Sequence, residues 1–168
     1  LIQLRCKGWA HDDIHRIAGI LAGRCRARGA TFIVNDHADI AAAVDADGVH
    51  LGQGDLSTAA ARQLIGPHRI IGRSTNALDQ LASTQIGADY VAFGPMYPTD
   101  NLSSPKSVQG PELLKLARTR VSLPLVAIGG IDTLRLPAIR QAGADAWAVI
   151  GAIANATNPV AATRLLCR

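Results

Sequence analysis

Two aspartates, Asp36 and Asp55, are the residues whose type and position best suit chemistry that depends on a metal ion. Each lies just beyond an apolar run typical of a buried β-strand, residues 32–34 for the first and 49–51 for the second. In a parallel α/β barrel, functional side chains lie where strands end, so both carboxylates would face one space. Mg2+ commonly binds one or two carboxylates together with water and substrate phosphate oxygens. A plainer interpretation is that Asp36 caps a helix and Asp55 begins the next one, and the spacing alone leaves both interpretations open.

Two cations, Arg5 and Lys7, follow another strand-like run near the start of the chain. An Arg and a Lys at the end of a strand can hold a diphosphate, the first through its planar guanidinium and the second as a point charge. Taken alone, the pair is more simply explained as solvated loop charges, so its meaning depends on the rest of the chain.

Two glycine-containing turns late in the chain favour phosphate binding. Gly129-Gly130-Ile131 follows one strand-like run, and Ile150-Gly151-Ala152 follows the next. Glycine lets backbone N–H groups approach a phosphate closely, and α/β barrels often bind phosphate in the loops after their last two strands. The alternative is a pair of ordinary turns, but the position of both turns favours a phosphate site.

The connection from Pro95 to about Gly110 is long for a loop between a strand and a helix, which indicates a lid or a binding loop. A surface loop without a function is the alternative. Its polar side chains are suitable ligands for phosphate or hydroxyl groups: Tyr97, Thr99, Asn101, Ser103, Ser104 and Lys106.

The remaining candidate side chains favour structural roles. His11 and His15 are four residues apart without the Glu that a metalloprotease helix requires, so a pair on a helix surface is the simpler interpretation. His50 lies inside a predicted strand and is interpreted as a core or site-wall residue. Ser74 ends a strand without an evident His–Asp partner, which favours hydrogen bonding over nucleophilic catalysis.

Composition predicts one domain, residues 1–168, with a core of aliphatic side chains. Apolar residues make up 48% of the chain and aromatic residues 4%. The net charge of +4 suits small anionic substrates, while nucleic-acid binding would require clustered cations with exposed aromatic residues. The three scattered cysteines imply no disulfide framework or zinc site, and they suit a cytoplasmic setting. We expect neither a signal peptide nor a membrane-spanning segment. The sequence does not specify the oligomeric state, and a homo-oligomer is possible.

Strand-like runs alternate with helical patterns throughout the chain, as in a parallel sheet with crossover helices. Seven strands are predicted, at residues 2–5, 31–36, 49–51, 69–74, 90–94, 125–128 and 147–150. The predicted helices are residues 12–28, 38–45, 56–65, 77–86, 112–118, 134–142 and a last one from about 159. An eight-fold barrel requires one more strand, so we expect either that a first strand and helix are missing before Leu1 or that the barrel is seven-stranded or open.

Short motifs run in a fixed order through nearly the whole chain: Gln3-Leu4-Arg5-Cys6-Lys7, Asn35-Asp36, Gly48-Val49-His50-Leu51-Gly52-Gln53-Gly54-Asp55, Ile71-Gly72-Arg73-Ser74, Gly94-Pro95-Met96-Tyr97-Pro98-Thr99, Ala127-Ile128-Gly129-Gly130-Ile131 and Ala148-Val149-Ile150-Gly151. As an ordered set they resemble the thiamine phosphate synthase family. The resemblance implies a (β/α)8 TIM barrel that begins with one further strand and helix. It also implies an enzyme of thiamine biosynthesis that couples an aminopyrimidine methyl diphosphate to thiazole phosphate and releases diphosphate.

The resemblance assigns roles to residues that match the motifs. The metal ion would be Mg2+, held by Asp36 and Asp55. Arg5, Lys7 and Ser74 would be catalytic. The pyrimidine diphosphate would be bound by Gln3, Leu4, Arg5, Cys6, Lys7, Asn35 and Ser74, and the thiazole phosphate by Thr99, Asp100, Asn101, Gly130, Ile150 and Gly151.

The sequence departs from the family pattern at several of these positions. A second Thr and a diphosphate-binding Lys are usual where this chain has Asn101 and Leu102, and Lys106 in the same loop is a hypothetical replacement. The usual Ser after the last strand is Gly151, and the usual His after the Ser74 position is Asn76. Because Leu cannot neutralise an anion, these changes bear on turnover more than on the fold.

Two alternatives to the synthase therefore remain. One is a thiazole tautomerase-like enzyme, although that branch generally uses a His at the Asn76 position. The other is a catalytically weak paralogue that binds thiazole phosphate. The presence of Arg5, Lys7, Asp36 and Asp55 together favours the synthase.

Overall fold

The computed structural model describes residues 1–100 and 107–167, in which β-strands alternate with α-helices. The strands are β1 (Ile2–Leu4), β2 (Phe32–Asn35), β3 (Gly48–Leu51), β4 (Ile70–Thr75), β5 (Tyr90–Phe93), β6 (Leu125–Ile128) and β7 (Ala146–Ala148). The helices are α1 (His11–Arg26), α2 (Ala38–Ala43), α3 (Thr58–Ile65), α4 (Leu81–Thr84), α5 (Gly110–Arg118), α6 (Leu136–Gln141), α7 (Gly151–Ala154) and α8 (Pro159–Leu166).

The first of two compact units comprises residues 1–73 and 86–89. Its strands β1 to β4 pair in parallel and in chain order, and Asn35 of β2 lies in register with His50 of β3. Alternate strand residues, among them Val34 and Val49, pack with helix α1 in one hydrophobic core. Because successive side chains of a strand point to opposite faces, Asn35 and His50 lie on the face of the sheet away from helix α1.

The second unit comprises residues 74–85 and 90–168. Strands β5, β6 and β7 pair in parallel, and their buried side chains Phe93 and Leu125 share a core with Leu114 of α5 and Ile139 of α6. The indole N–H of Trp147 donates to the carbonyl of Leu166 at 2.9 Å and thereby fastens helix α8 to strand β7.

An aspartate immediately before a strand stabilises the amino end of the neighbouring strand in both units. The Asp47 carboxylate accepts the backbone N–H of Phe32, the Asp89 carboxylate that of Ile71 and the Asp145 carboxylate that of Leu125, each at 2.7 Å. Arginines of the preceding helices complete two of these contacts, Arg62 with Asp89 at 2.8 Å and Arg118 with Asp145 at 2.5 Å. Residues at the amino ends of barrel strands generally serve stability rather than catalysis.

The alternation of parallel strands and helices confirms the predicted α/β class and the seven predicted strands. Whether a further strand and helix complete the barrel or the barrel is seven-stranded or open stays a prediction, as does the single domain at 1–168. None of the helices in the described ranges is both long and apolar enough to cross a membrane.

One helix prediction and one strand prediction were wrong in detail. Residues 77–86 were predicted as one helix, but α4 covers only Leu81–Thr84. The Thr75 hydroxyl donates to the Gln80 side chain at 2.8 Å and accepts the N–H of Ala77 at 3.3 Å, so side-chain bonds organise this segment as a turn. Residue 150 was predicted inside a strand, yet the carbonyl of Ile150 accepts the N–H groups of Ile153 and Ala154 and starts α7.

Candidate active site

Asp36 and Lys7, the predicted metal ligand and the predicted diphosphate cation, are in contact. The Lys7 ammonium forms an ion pair with the Asp36 carboxylate, whose side chain is 18% exposed against 45% for Lys7. Asp36 directly follows β2 with a φ of 68°, a left-handed conformation that Asp tolerates better than most residues. Its N–H donates to the carbonyl of His50 at 2.8 Å, so the adjacent strand β3 fixes the turn.

The helix-cap interpretation of the two aspartates is wrong. The cap of α2 is His37, not Asp36. Helix α3 begins after Ser57, whose hydroxyl accepts a backbone N–H of the first turn at 3.2 Å. Asp55 instead accepts the N–H of Gly52 at 2.6 Å and orders the loop between β3 and α3. Both carboxylates therefore belong to turns after the carboxyl ends of strands.

Arg73, for which we predicted no role, is a buried cation next to this loop. Its guanidinium donates to the carbonyl of Leu56 at 2.8 Å, one residue beyond Asp55. Burial lowers the pKa of Arg73, and the Asp55 carboxylate opposes that shift. An arginine directly before a strand-ending serine was the signal in the sequence, but its burial and its loop contact depend on the tertiary structure.

His50 is buried, as predicted for a core or site-wall residue, and it lies on β3, the strand next to that of Arg73. Burial, reinforced by the positive charge of Arg73 and opposed by Asp55, lowers the pKa of His50 to about 4. The imidazole is therefore neutral at neutral pH, so it adds no charge to the site.

The predicted residues of β1 divide between the two faces of the strand. Leu4 packs on the hydrophobic core of the first unit with Cys6, and burial raises the pKa of the Cys6 thiol. Since these two side chains face the core, Leu4 and Cys6 could contact the predicted pyrimidine diphosphate only through their backbone groups. Gln3 lies in register with Ile33 and belongs to the opposite face, to which the buried Asn35 also belongs.

In the second unit, Gly129 and Gly130 form a turn directly after β6. Both have positive φ, 90° and 67°, and the carbonyl of Gly129 accepts the N–H of Tyr97 at 3.1 Å. A Cβ at Gly130 would lie 2.7 Å from the carbonyl oxygen of Pro98, so glycine is required for the close approach of the two segments. Arg135, which we did not predict, donates to the Gly130 carbonyl at 2.6 Å, and its guanidinium lies 4.7 Å from the centre of the Tyr97 ring.

Ile150 and Gly151 form the start of α7. The first N–H groups of a helix have no acceptor within it and carry a partial positive charge, so this turn can bind an anion. Thr99 and Ser74 both have polar partners, and Asp100 is exposed. The predicted residues Asn101 and Lys106, together with Leu102, lie outside the described residues.

Comparison with known proteins identifies relatives of the whole chain. The family model described as thiamine monophosphate synthase matches residues 1–153. A thiamine-phosphate synthase of Chlorobium luteolum is 47% identical over 167 residues, which are 99% of this chain and 79% of that protein. A thiamine-phosphate synthase of Prochlorococcus marinus is 49% identical over 164 residues, and the chain spans 46% of its length.

A solved structure agrees with the sequence relatives. The thiamine phosphate pyrophosphorylase of Pyrococcus furiosus matches with a TM-score of 0.89 and 36% identity, covering 99% of this chain and 80% of that one. This match confirms the predicted TIM-barrel fold class, and the sequence relatives confirm the predicted function, thiamine-phosphate synthase. The chain belongs to the thiamine monophosphate synthase family.

Proposed function

We propose that the chain forms thiamine phosphate from a pyrimidine methyl diphosphate and thiazole phosphate, with Mg2+ held by Asp36 and Asp55. The observation that carries the proposal is the ion pair between Lys7 and Asp36, because the proposed diphosphate-binding cation and the proposed metal-binding carboxylate are in contact. We also propose a cytoplasmic location, which the free thiols of Cys6, Cys25 and Cys167 support.

The donor atoms of the first unit fit Mg2+. Asp36 and Asp55 offer carboxylate oxygens, and the Gly52 N–H fixes the orientation of the second carboxylate. When bound, Mg2+ would neutralise charge on the leaving diphosphate. Lys7 is half-exposed on its ion pair, so its ammonium can turn from the carboxylate to a diphosphate oxygen, and Arg5 supplies a second cation two residues earlier.

The backbone of the second unit suits the thiazole phosphate. The Gly130 turn is fixed by Arg135 and by the Pro98 segment, and the start of α7 at Gly151 presents N–H groups with a partial positive charge. Backbone donors on ordered turns bind a phosphate without the entropy loss of a long side chain. The thiazole would thus be positioned by its phosphate, which leaves its ring nitrogen to react.

The reaction requires positioning and charge stabilisation from the protein. The bond between the pyrimidine methylene carbon and the diphosphate oxygen breaks, and the electron-rich pyrimidine stabilises the positive charge that develops on that carbon. The diphosphate oxygen takes the electron pair of the broken bond, and the lone pair of the thiazole nitrogen then forms the new C–N bond. Lys7 and Arg5 stabilise the charge that grows on the leaving group.

Diphosphate release by the purified protein, given both substrates and Mg2+, tests the proposal. We expect Asp36→Asn to lower the rate at least tenfold. Asp45→Asn is the matched control because Asp45 also has a positive φ, 54°, and pairs with Arg26 and Arg69 at the amino ends of the strands. We expect the control to keep its rate, since Asn adopts the left-handed conformation as readily as Asp.

Three other outcomes would overturn parts of the proposal. Release that is independent of Mg2+ or unaffected in Asp36→Asn would exclude the metal role of that residue. Isomerisation of a thiazole carboxylate phosphate without diphosphate release would support a tautomerase. Binding of thiazole phosphate without either reaction would support a binder without turnover.

A further inference from the structure

A second group of metal-ligating side chains lies on the surface of the first unit, formed by His11, His37 and Asp39. One ligand atom from each lies within 4.8 Å of the others. The Nε2 atom of His11 is 2.7 Å from Oδ2 of Asp39, and the rings of His11 and His37 meet edge to face with centroids 5.8 Å apart. His11 lies on the surface of α1 with His15, as predicted, and the fold also brings it to two residues far along the chain.

The three side chains come from the starts of two helices that share a core. His11 is the first residue of α1, His37 caps α2, and Asp39 is its second residue. Ile14 of α1 and Ala38 of α2 pack in the same hydrophobic core, so rigid elements hold the backbones of all three. The carboxylate of a fourth residue, Asp12, is 4.0 Å from Nδ1 of His11.

We propose that His11, His37 and Asp39 bind a divalent transition-metal ion such as Zn2+. Two imidazoles and one carboxylate suit Zn2+, which takes three protein ligands and a water molecule in open sites. Ligand atoms around Zn2+ lie roughly 3.3 Å apart, given bonds of about 2.0–2.2 Å. Reaching that spacing requires the side chains to rotate, and the exposure of His11 and Asp39, 55% and 57%, permits this.

The surroundings of His11 support this assignment. When Nε2 of a histidine binds a metal, its Nδ1–H usually donates to a carboxylate, which fixes the ring and its tautomer. The exposed Asp12 carboxylate lies 4.0 Å from Nδ1 of His11 and would have to move closer to accept that hydrogen. Bound metal would exchange the present bond between His11 and Asp39 for two metal–ligand bonds and fasten the start of α1 to the start of α2.

This site is chemically distinct from the one proposed for Mg2+. Asp36 and Asp55 offer only oxygen ligands, which suit a hard cation, whereas the new site has two nitrogen ligands. His37 follows Asp36 directly in the chain but its side chain joins a different cluster. The inference therefore goes beyond the proposed synthase reaction and does not depend on it.

Calorimetric titration of the intact chain with Zn2+, in excess Mg2+, tests the proposal. We expect one Zn2+ per chain, and at least a tenfold weaker affinity in His11→Gln and in His37→Gln. His15→Gln is the matched control, because His15 is an exposed histidine one turn further along the same helix and lies outside the cluster. We expect it to bind Zn2+ as the unchanged chain does.

Co2+ absorption and thermal unfolding give readouts that do not involve activity. We expect a tetrahedral Co2+ spectrum and a higher unfolding temperature with Zn2+, and both effects should be lost in His37→Gln and kept in Asp36→Asn. Loss in Asp36→Asn with retention in His11→Gln would overturn the proposal by locating the ion at the Mg2+ ligands. Binding that disappears in Cys167→Ser, or that none of the histidine variants weakens, would overturn it as well.

Discussion

Gly130 offers the sharpest test of the proposal that the second unit binds thiazole phosphate. Its φ is 67°, and a Cβ there would lie 2.7 Å from the carbonyl oxygen of Pro98 and 2.8 Å from Cβ of Tyr97. Tyr97 is held in place by its hydrogen bond to Gly129 and by the Arg135 guanidinium. In Gly130→Ala the turn must therefore move, because no flexible side-chain end can yield.

The cost has two parts. A non-glycine residue in the left-handed conformation loses about 1–2 kcal/mol. Relief of a contact at 2.7 Å requires a shift of roughly 0.5 Å or more, and overpacking of this kind costs about 1–3 kcal/mol. A displacement of about 1 Å at a positioning group can lower a rate about a hundredfold. We expect Gly130→Ala to raise the KM for thiazole phosphate at least tenfold and to leave the KM for the pyrimidine diphosphate within about twofold.

Steady-state kinetics with each substrate varied in turn measure this separation. Gly29→Ala is the control for conformational strain, since its φ is 62° and, among the described residues, none places an atom within 4 Å of the added Cβ. We expect the control to lose about 1 kcal/mol of stability with both KM values unchanged. An unchanged KM for thiazole phosphate in Gly130→Ala would refute the assignment of this turn to phosphate binding, and an equal rise for both substrates would indicate general damage instead.

Three further predictions concern the buried charges and the amino ends of the strands. Arg73→Met removes the hydrogen bond to the Leu56 carbonyl, so we expect half-maximal activity to require about fivefold more Mg2+. It also removes the positive charge beside His50, so NMR titration should show a higher pKa of His50. An unchanged His50 pKa would contradict the electrostatic coupling. The pKa of His50 is about 4 in the folded chain against 6.5 in the unfolded chain. Between these values the unfolded chain binds more protons, so stability decreases as the pH is lowered from 6.5 to 4. Urea unfolding should show about 2 kcal/mol of this loss between pH 7 and pH 5, and His50→Gln should remove that part of the slope; an unaltered slope would show that His50 is not its source. Asp145→Ala should lower the free energy of unfolding by only about 1 kcal/mol, because the ion pair that it removes with Arg118 is half-exposed. The reaction rate at 25 °C should stay unchanged. A loss of rate without a loss of stability would contradict a purely structural role.

Local sequence patterns predicted most strands and helices because their signals act over a few residues. Strand β6 was predicted with its observed bounds, residues 125–128, since an apolar run between turn residues leaves little choice. The same logic failed at Ile150, because a β-branched residue favours a strand locally but its carbonyl accepts bonds from α7. The segment at 77–86 failed because the Thr75 and Gln80 side chains compete with helical hydrogen bonds.

The candidate site could be predicted as a set of residues but not as a set of contacts. The aspartates, the paired cations and the glycine turns were recognisable because their types and their positions after strands are chemically suggestive. Their partners were not: the bond from Gly52 to Asp55 and the Arg135 contact with Gly130 depend on loop conformations that spacing does not specify.

By itself the sequence determined the α/β class, the order of strands and helices, and the family, because periodicity and ordered motifs are properties of the chain. Tertiary structure alone decided which of these groups interact. Strand pairing brings Lys7 to Asp36 across 29 residues, and helix packing brings His11 to Asp39 across 28. Burial likewise decided that His50 is neutral, since desolvation depends on surroundings that come from distant parts of the chain. The fold also brings the Arg73 guanidinium to the Leu56 carbonyl, where it stabilises the loop that contains Asp55.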